Sequence, residues 1–267
     1  MKGKVFLIGA GPGDPELLTV KALRLLRTAE AVLHDDLVPP EILQLIPATA
    51  QVHNVGKRCG KKRIRQEESN FLMIALAESG VNVIRLKSGD PLIFGRAGEE
   101  MDALRQAHVD YEVVPGVTSA LGAAAAAQIP LTHRQVSSAL VLITAQQAAG
   151  SDGEDWNKLA GSGATLVIYM PGPDYSAIAR RLQSAGLSAD TPCAVISQAT
   201  TPSQQSHRTT IDELQRAPQL PTPTLLIVGE VLRFADPAGL LRGFPMPVAG
   251  ADALEPSNFE FSEEPTA

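Results

Sequence analysis

Asp35, Lys57, Asp90 and Arg96 are the side chains of this sequence best placed to do chemistry. Asp90 and Arg96 lie within RLKSGDPLIFGRAGEE, Arg85 to Glu100, where a glycine-bearing loop also carries Phe94. An aspartate there can accept hydrogen bonds from a ligand, and an arginine can grip a carboxylate with its planar fork. The alternative is a tight turn in which Asp90 caps its own backbone. Asp35, with Asp36 beside it, follows the apolar run Ala31 to His34. It can serve as a base or simply as a loop cap. Lys57 opens a run, Gly56 to Arg65, that holds Lys57, Arg58, Lys61, Lys62, Arg63 and Arg65 with no acid among them. Such a run is either a solvated surface loop or a clamp for a polyanionic small molecule. Nucleic acid is a third partner, but the run lacks the aromatic residues that stack on bases. Lys57 follows directly on a β-prone stretch, where desolvation can lower its pKa enough for proton transfer.

These residues need elements that bring them to one edge. Asn82 to Lys87 reads as a buried strand, stopped by Ser88-Gly89-Asp90-Pro91. A helix is expected over Glu99 to Ala107, with Glu99, Glu100 and Asp102 at the positive end of its dipole. Val5 to Ile8 has the apolar pattern of a central parallel strand, and it runs into Gly9-Ala10-Gly11-Pro12-Gly13-Asp14. The dinucleotide fingerprint needs a third small residue at the place Asp14 holds, and Pro12 lacks a backbone donor. Asp35 and Asp36 lie near the distance of a ribose-binding acid, so a nucleotide remains the weaker reading. The loop better suits a ligand that is uncharged or positive on that side.

Thr19 can cap a helix over Val20 to Ala29 with Val20, Leu23 and Leu26 on one face. Strands follow at Ala31 to His34 and Gln51 to Val55, with a short helix at Pro40 to Ile46 between them. A helix over Gln66 to Ser79 turns Phe71, Leu72, Ile74 and Ala75 inward, and Tyr111 to Val114 is the next strand. The β, α alternation predicts an α/β fold with a parallel sheet. The boundary between two domains falls around Pro115 to Thr118, giving 1–115 and 116–244. Thr118-Ser119 starts an alanine-rich helix ending near Gln128, where alanine density permits close packing or ligand approach and is also simply good helix former. Further strands are expected at Ala139 to Thr144, Ala164 to Met170, Cys193 to Ser197 and Thr224 to Val228, with a helix at Asp174 to Gly186. Ser203 to Ile211 reads as an exposed β pair, Gln147 to Asp155 as a mobile loop, and 245–267 as a disordered tail.

Composition narrows the function classes. The 267 residues are 44% hydrophobic and 19% charged, which suits a globular protein with a real core. A net charge of −6 argues against bulk binding to nucleic acid or membrane surfaces. The two cysteines, Cys59 and Cys193, form neither a disulfide framework nor a zinc spacing. Glycines interrupt the N-terminal apolar run after five residues, and no run is long enough to span a bilayer. A cytoplasmic protein without a metal is the expectation.

Taken in order, VFLIGAGPGDPELLT, LHDDLV, VGKRCG, RLKSGDPLIFGRAGEE, VVPGVTSA, IPLTHR, TLVIYM and TPTLLIVGEV run across residues 4–232. This series resembles the tetrapyrrole methyltransferase superfamily, and within it the group acting on uroporphyrinogen III. The resemblance implies two α/β domains with the active site in the cleft between them, and a homodimer. It implies two methyl transfers from S-adenosyl-L-methionine to the tetrapyrrole substrate, giving precorrin-2 for sirohaem or cobalamin, with S-adenosyl-L-homocysteine as by-product. By the same resemblance, the cofactor contacts fall on Pro12, Ser88, Gly89, Asp90, Ile93, Thr118, Ser119, Met170 and Ala199. Asp35 becomes the proton acceptor and Lys57 the proton donor. Arg96 becomes an essential substrate-side residue and a candidate base. Because a guanidinium keeps its proton, it is read here as a carboxylate anchor that orients the ring, aided by Glu99. Read alone, Met170 would be an ordinary strand-end core residue. The sequence departs from the family pattern at Ser88 and Ala97, each in place of a glycine, at His34 in place of tyrosine, and at Ala199 in place of a glycine. The histidine often found after Thr144 is absent, with Gln146 and Gln147 there instead. Two alternatives remain: a methyltransferase for a later corrinoid precursor, and a non-catalytic nucleotide- or anion-binding module.

Overall fold

A computed structural model describes residues 2–56, 65–145, 156 and 163–235. The basic run from Lys57 to Ile64, most of the loop after Thr144 and the tail expected at 245–267 lie outside the described residues. The first half alternates strands and helices. They are β1 (Val5–Gly9), α1 (Val20–Arg27), β2 (Ala31–His34), α2 (Pro40–Leu43), β3 (Gln51–Asn54), α3 (Gln66–Glu78), β4 (Val83–Lys87), α4 (Ala97–Gln106) and β5 (Tyr111–Val114). The strands form one sheet in the order β3-β2-β4-β1-β5, with each pair parallel. Near-continuous apolar strands dictate this, because helices cover both faces. Ala22, Leu26 and Ile42 of α1 and α2 pack on one face; Met73, Ala77 and Leu104 of α3 and α4 pack on the other. The crossovers from β1 and β4 therefore leave on opposite faces. Between those two central strands the sheet opens at its carboxyl edge, where ligands of such sheets bind.

The second half contains α5 (Ser119–Ala126), β6 (Leu140–Thr144), β7 (Thr165–Tyr169), α6 (Tyr175–Ser184), β8 (Pro192–Ser197), β9 (Gln205–Thr210) and β10 (Thr224–Val228). Its sheet runs β6-β7-β10-β8-β9; only β6 and β7 are parallel. Here α5 packs through Ala120, Ala123, Ala124 and Ala127 against Val167, Ile196 and Ile227 on one face. The other face meets Ile178 and Leu182 of α6, with Trp156. Cys193 sits in this layer, and burial pushes its thiol pKa up.

Element positions match the sequence reading closely, but several faces do not. Val20 is 82% exposed, and α1 instead packs through Ala22 and Leu26. Phe71 is 74% exposed, and α3 turns Ser69, Met73 and Ala77 inward. Phe71 to Ala77 is apolar throughout, so its pattern carries no phase and the sheet chooses the face. The β pair expected over 203–211 is one edge strand, β9, paired antiparallel with β8. Its polar residues read as a solvated pair because an edge strand has one neighbour only. Helix α4 begins two residues before Glu99, because Arg96 takes a left-handed conformation (φ 56°) at its N-cap.

The carboxyl ends of β1, β4 and β5 converge on backbone. Gly11 and Gly89 exchange hydrogen bonds of 3.1 and 2.8 Å. A Cβ on Gly116 would lie 2.3 Å from the Gly89 carbonyl oxygen and 2.8 Å from Gly9 Cα. Backbone cannot swing aside as a side chain can, so Gly116→Ala is expected to cost about 1–3 kcal/mol. Urea unfolding monitored by circular dichroism checks this, and a wild-type midpoint would refute it.

Candidate active site

Loops from both halves enclose a cleft of about 810 Å³ above that edge. The first sheet contributes Pro12 to Pro15 after β1 and Asp35 to Glu41 after β2. The loop after β4 adds Ser88, Gly89, Asp90, Ile93, Phe94 and Gly95. From the second half come Thr118 and Ser119 at the start of α5, Tyr169 and Met170 after β7, Gln198 to Ser203 after β8, and Thr222 to Leu225. All nine residues that the resemblance put on the cofactor therefore line one cleft, although they are spread over more than 180 positions of sequence.

The loops are held by their own hydrogen bonds. Asp90 Oδ1 accepts from Leu92 N at 2.8 Å, and its Oδ2 accepts from Gly116 N at 3.0 Å. Asp90 thus does cap its own loop, and it also ties that loop to the strand end at Gly116. Each carboxylate oxygen has a second lone pair, so this does not use up its capacity to accept. Asp14 caps the short turn after it by accepting from Glu16 N at 2.8 Å, and its own N–H donates to Thr200 Oγ1 at 3.1 Å. That bond joins the two halves. Tyr169 Oη accepts from Ala120 N at 3.0 Å and lies 2.6 Å from Thr118 Oγ1, while its ring sits 4.8 Å from that of Phe94. Gly122 packs against the first half as well, since a Cβ there would come within 2.5 Å of Pro12 Cγ.

Four lining residues, Phe94, Met170, Gln198 and Thr200, have φ between 47° and 65°. Non-glycine residues hold that conformation at a cost, and such residues cluster at functional sites. Met170 is 41% exposed in the cleft rather than buried at a strand end. Among the described lining residues, Asp14, Asp35, Asp36, Glu41 and Asp90 are acids and none is lysine or arginine. These acids suit a cationic or neutral group placed beside them and disfavour a phosphate there, while the cations of 57–63 lie outside the described residues.

The proposed acid/base residues are placed unevenly. Asp35 lines the cleft, and its Oδ1 accepts from Arg85 Nη2 at 2.5 Å. Asp36 is held by Asn54 Nδ2 at 2.8 Å. His34 is buried, and its Nδ1 donates to the Asp35 carbonyl at 3.0 Å. Lys57 lies outside the described residues. Arg96 and Glu99 do not line the cleft. They pair with each other at its rim, Nε to Oε1 at 2.8 Å and Nη2 to Oε2 at 2.6 Å. The hydrogen bond to Glu99 raises the Arg96 pKa above its ordinary value, which argues against Arg96 acting as a base.

Sequence reasoning missed a buried ionic cluster beneath the cleft. Arg85, Lys87 and Glu100 are 4%, 2% and 0% exposed. Glu100 Oε1 accepts from Arg85 Nε at 2.9 Å, Lys87 Nζ at 3.0 Å and Gln66 Nε2 at 3.2 Å. Burial and the Arg85 charge lower the Lys87 pKa, with Glu100 opposing them. Burial alone would lower the Arg85 pKa, but Asp35 and Glu100 hold it above its ordinary value. A signal was present: Arg85 and Lys87 share one face of an otherwise apolar strand. Tyr169 and Thr200 carried no such signal.

The family model for tetrapyrrole (corrin/porphyrin) methylases matches residues 4–215. A siroheme synthase from Zymomonas mobilis is 48% identical over 231 residues, 86% of this chain and 49% of that protein. A uroporphyrinogen-III C-methyltransferase from Paracoccus denitrificans is 45% identical over 242 residues, 89% of this chain and 84% of that protein. The chain thus spans about half the length of the siroheme synthases it matches. Among solved structures, uroporphyrin-III C-methyl transferase from Thermus thermophilus complexed with S-adenyl homocysteine matches with a TM-score of 0.77 and 38% identity. That match covers 87% of this chain and 100% of the other.

Proposed function

Because this chain belongs to the tetrapyrrole (corrin/porphyrin) methylases, we propose that it transfers methyl groups from S-adenosyl-L-methionine to uroporphyrinogen III, twice, to give precorrin-2. The observation that carries this reading is the convergence of Pro12, Ser88 to Asp90, Ile93, Thr118, Ser119, Met170 and Ala199 on one acid-lined cleft. The residues present fit the methyl donor. Its sulfonium is positive, the described lining has no competing cation, and Asp90 and loop backbone can accept from its hydroxyl and amino groups. Met170 offers a polarisable apolar wall. When bound, the donor supplies an already activated methyl group.

The protein's own task is then mainly orientation. Holding the reacting atoms in line can contribute about 7–11 kcal/mol. Each methyl transfer from the sulfonium to a ring carbon releases one proton, which Asp35, at the cleft wall, takes up. Lys57, as the proton donor of this reading, would return a proton to another carbon of the macrocycle when its double bonds rearrange, so that one net proton leaves per methyl. Arg96, paired with Glu99 at the rim, anchors a substrate carboxylate, and the basic run after Gly56 draws the polyanionic ring. The same reading takes 1–115 and 116–244 as two domains of a cytoplasmic homodimer. No helix among the described residues is long and apolar enough to cross a membrane.

Purified protein incubated anaerobically with S-adenosyl-L-methionine and uroporphyrinogen III tests the proposal. The expected product is the dimethylated macrocycle, identified by mass and absorbance. Methylation of a later corrinoid precursor instead would move the enzyme to another step, and absence of any methyl incorporation would remove the reading.

A further inference from the structure

The buried cluster has no part in the function as stated, yet it ends on Asp35, the carboxylate that takes up the proton in that reading. Arg85 lies on β4 in the layer between the sheet and α4. Its Nη1 donates to the carbonyls of Leu33 at 3.4 Å and Leu86 at 3.2 Å. Its Nε is held by Glu100, and its Nη2 reaches Asp35. One guanidinium therefore grips the end of β2 and the side chain that follows it. Every Arg85 guanidinium nitrogen has a partner, so the group has a single well-defined position.

We propose that Arg85, oriented by Glu100, is a positioning residue that fixes the Asp35 carboxylate at the cleft wall for proton transfer. Stability alone does not explain the arrangement, since buried ion pairs often stabilise no better than apolar residues of the same volume. Its geometry does have a functional direction. The Asp35 side chain is 31% exposed where that of Arg85 is 5% exposed, so the cluster runs from a fully buried anion to a carboxylate at the cleft. Glu100 also accepts from Gln66 at the start of α3, directly after the basic run. It sits in the first turn of α4, next to Glu99. The same hub thus joins the elements that carry Asp35, Arg96 and the basic run.

The inference rests on the role proposed for Asp35, and a double-mutant cycle separates the two. Arg85→Gln leaves Glu100 with one cation fewer and can simply unfold, so Arg85→Lys is the working variant: it keeps the charge and loses the fork. Titration with S-adenosyl-L-homocysteine by calorimetry verifies that each variant retains a formed cleft. Asp35→Asn is expected to lower kcat by roughly 100- to 10,000-fold. Arg85→Lys is expected to lower kcat by about 10- to 100-fold with KM for the tetrapyrrole little changed, as a small misplacement of a reacting group can do. The double variant should be no slower than Asp35→Asn. Multiplying effects in the double variant, or a wild-type kcat in Arg85→Lys, would overturn the positioning role while leaving the proposed function intact. A wild-type kcat in Asp35→Asn would overturn both the role of Asp35 and the inference built on it.

Discussion

Glu100→Gln is expected to lose about 3–5 kcal/mol of folding stability, the usual cost of removing one partner from a buried ionic network. Glu100 is the anion that Arg85 and Lys87 share, and it lies fully inside the protein. Glutamine keeps its shape but not its charge. Arg85 retains Asp35, whereas Lys87 loses the carboxylate that holds it. Stabilities of about 5–15 kcal/mol are usual for a domain, so the loss takes a large share. It should also acquire a pH signature. Burial and Arg85 already lower the Lys87 pKa below the ordinary 10.5, and Glu100 opposes that shift. A lysine with a lowered folded-state pKa binds fewer protons folded than unfolded, so stability rises with pH between the two values. Removing Glu100 widens that interval downward. Urea midpoints should therefore be lower for the variant at neutral pH and recover as the pH approaches the ordinary lysine value of 10.5. A midpoint equal to that of the wild type at neutral pH would show the cluster to be dispensable.

Arg96→Ala is expected to behave in the opposite way, costing activity and little stability. The Arg96–Glu99 pair is about half exposed on both sides, and such pairs contribute roughly 0–1 kcal/mol. As a carboxylate anchor, Arg96 would offer the substrate a bidentate contact whose loss is worth about 3 kcal/mol, or roughly 100-fold in kcat/KM. Arg96→Lys should recover only part of this, because an ammonium lacks the fork. Binding of S-adenosyl-L-homocysteine should be unchanged, since Arg96 does not line the cleft. Steady-state kinetics with calorimetry decides the matter: lost cofactor binding would contradict the anchor role.

Much of the molecule was legible in its residues. The strands from Val5, Ala31, Val83, Tyr111 and Thr224 follow from short, largely apolar, β-branched runs bounded by turn residues, and the parallel first sheet from their alternation with helices. Thr19 announced its helix as a cap and accepts a backbone hydrogen bond as expected, whereas Asp174, read as the first residue of its helix, turns out to cap it by accepting from Ala177 N. Helix faces were less legible. Val20 and Phe71 looked like core residues because hydrophobicity alone does not say which of several apolar stripes will meet the sheet.

For the site, the local sequence determined which loops carry unusual chemistry: Asp90 among glycines, Asp35 after a strand, and a proline and an acid where phosphate would need backbone donors. The tertiary structure decided what those groups touch. It gave Asp90 to Leu92 and Gly116, paired Arg96 with Glu99, set Tyr169 under the start of α5, and joined Asp35 through Arg85 to Glu100. The physical reason is range. Turn and strand preferences act over a few neighbouring residues, whereas a hydrogen bond between positions 35 and 85 exists only once parallel strands have set Arg85 beside Leu33, two residues before Asp35.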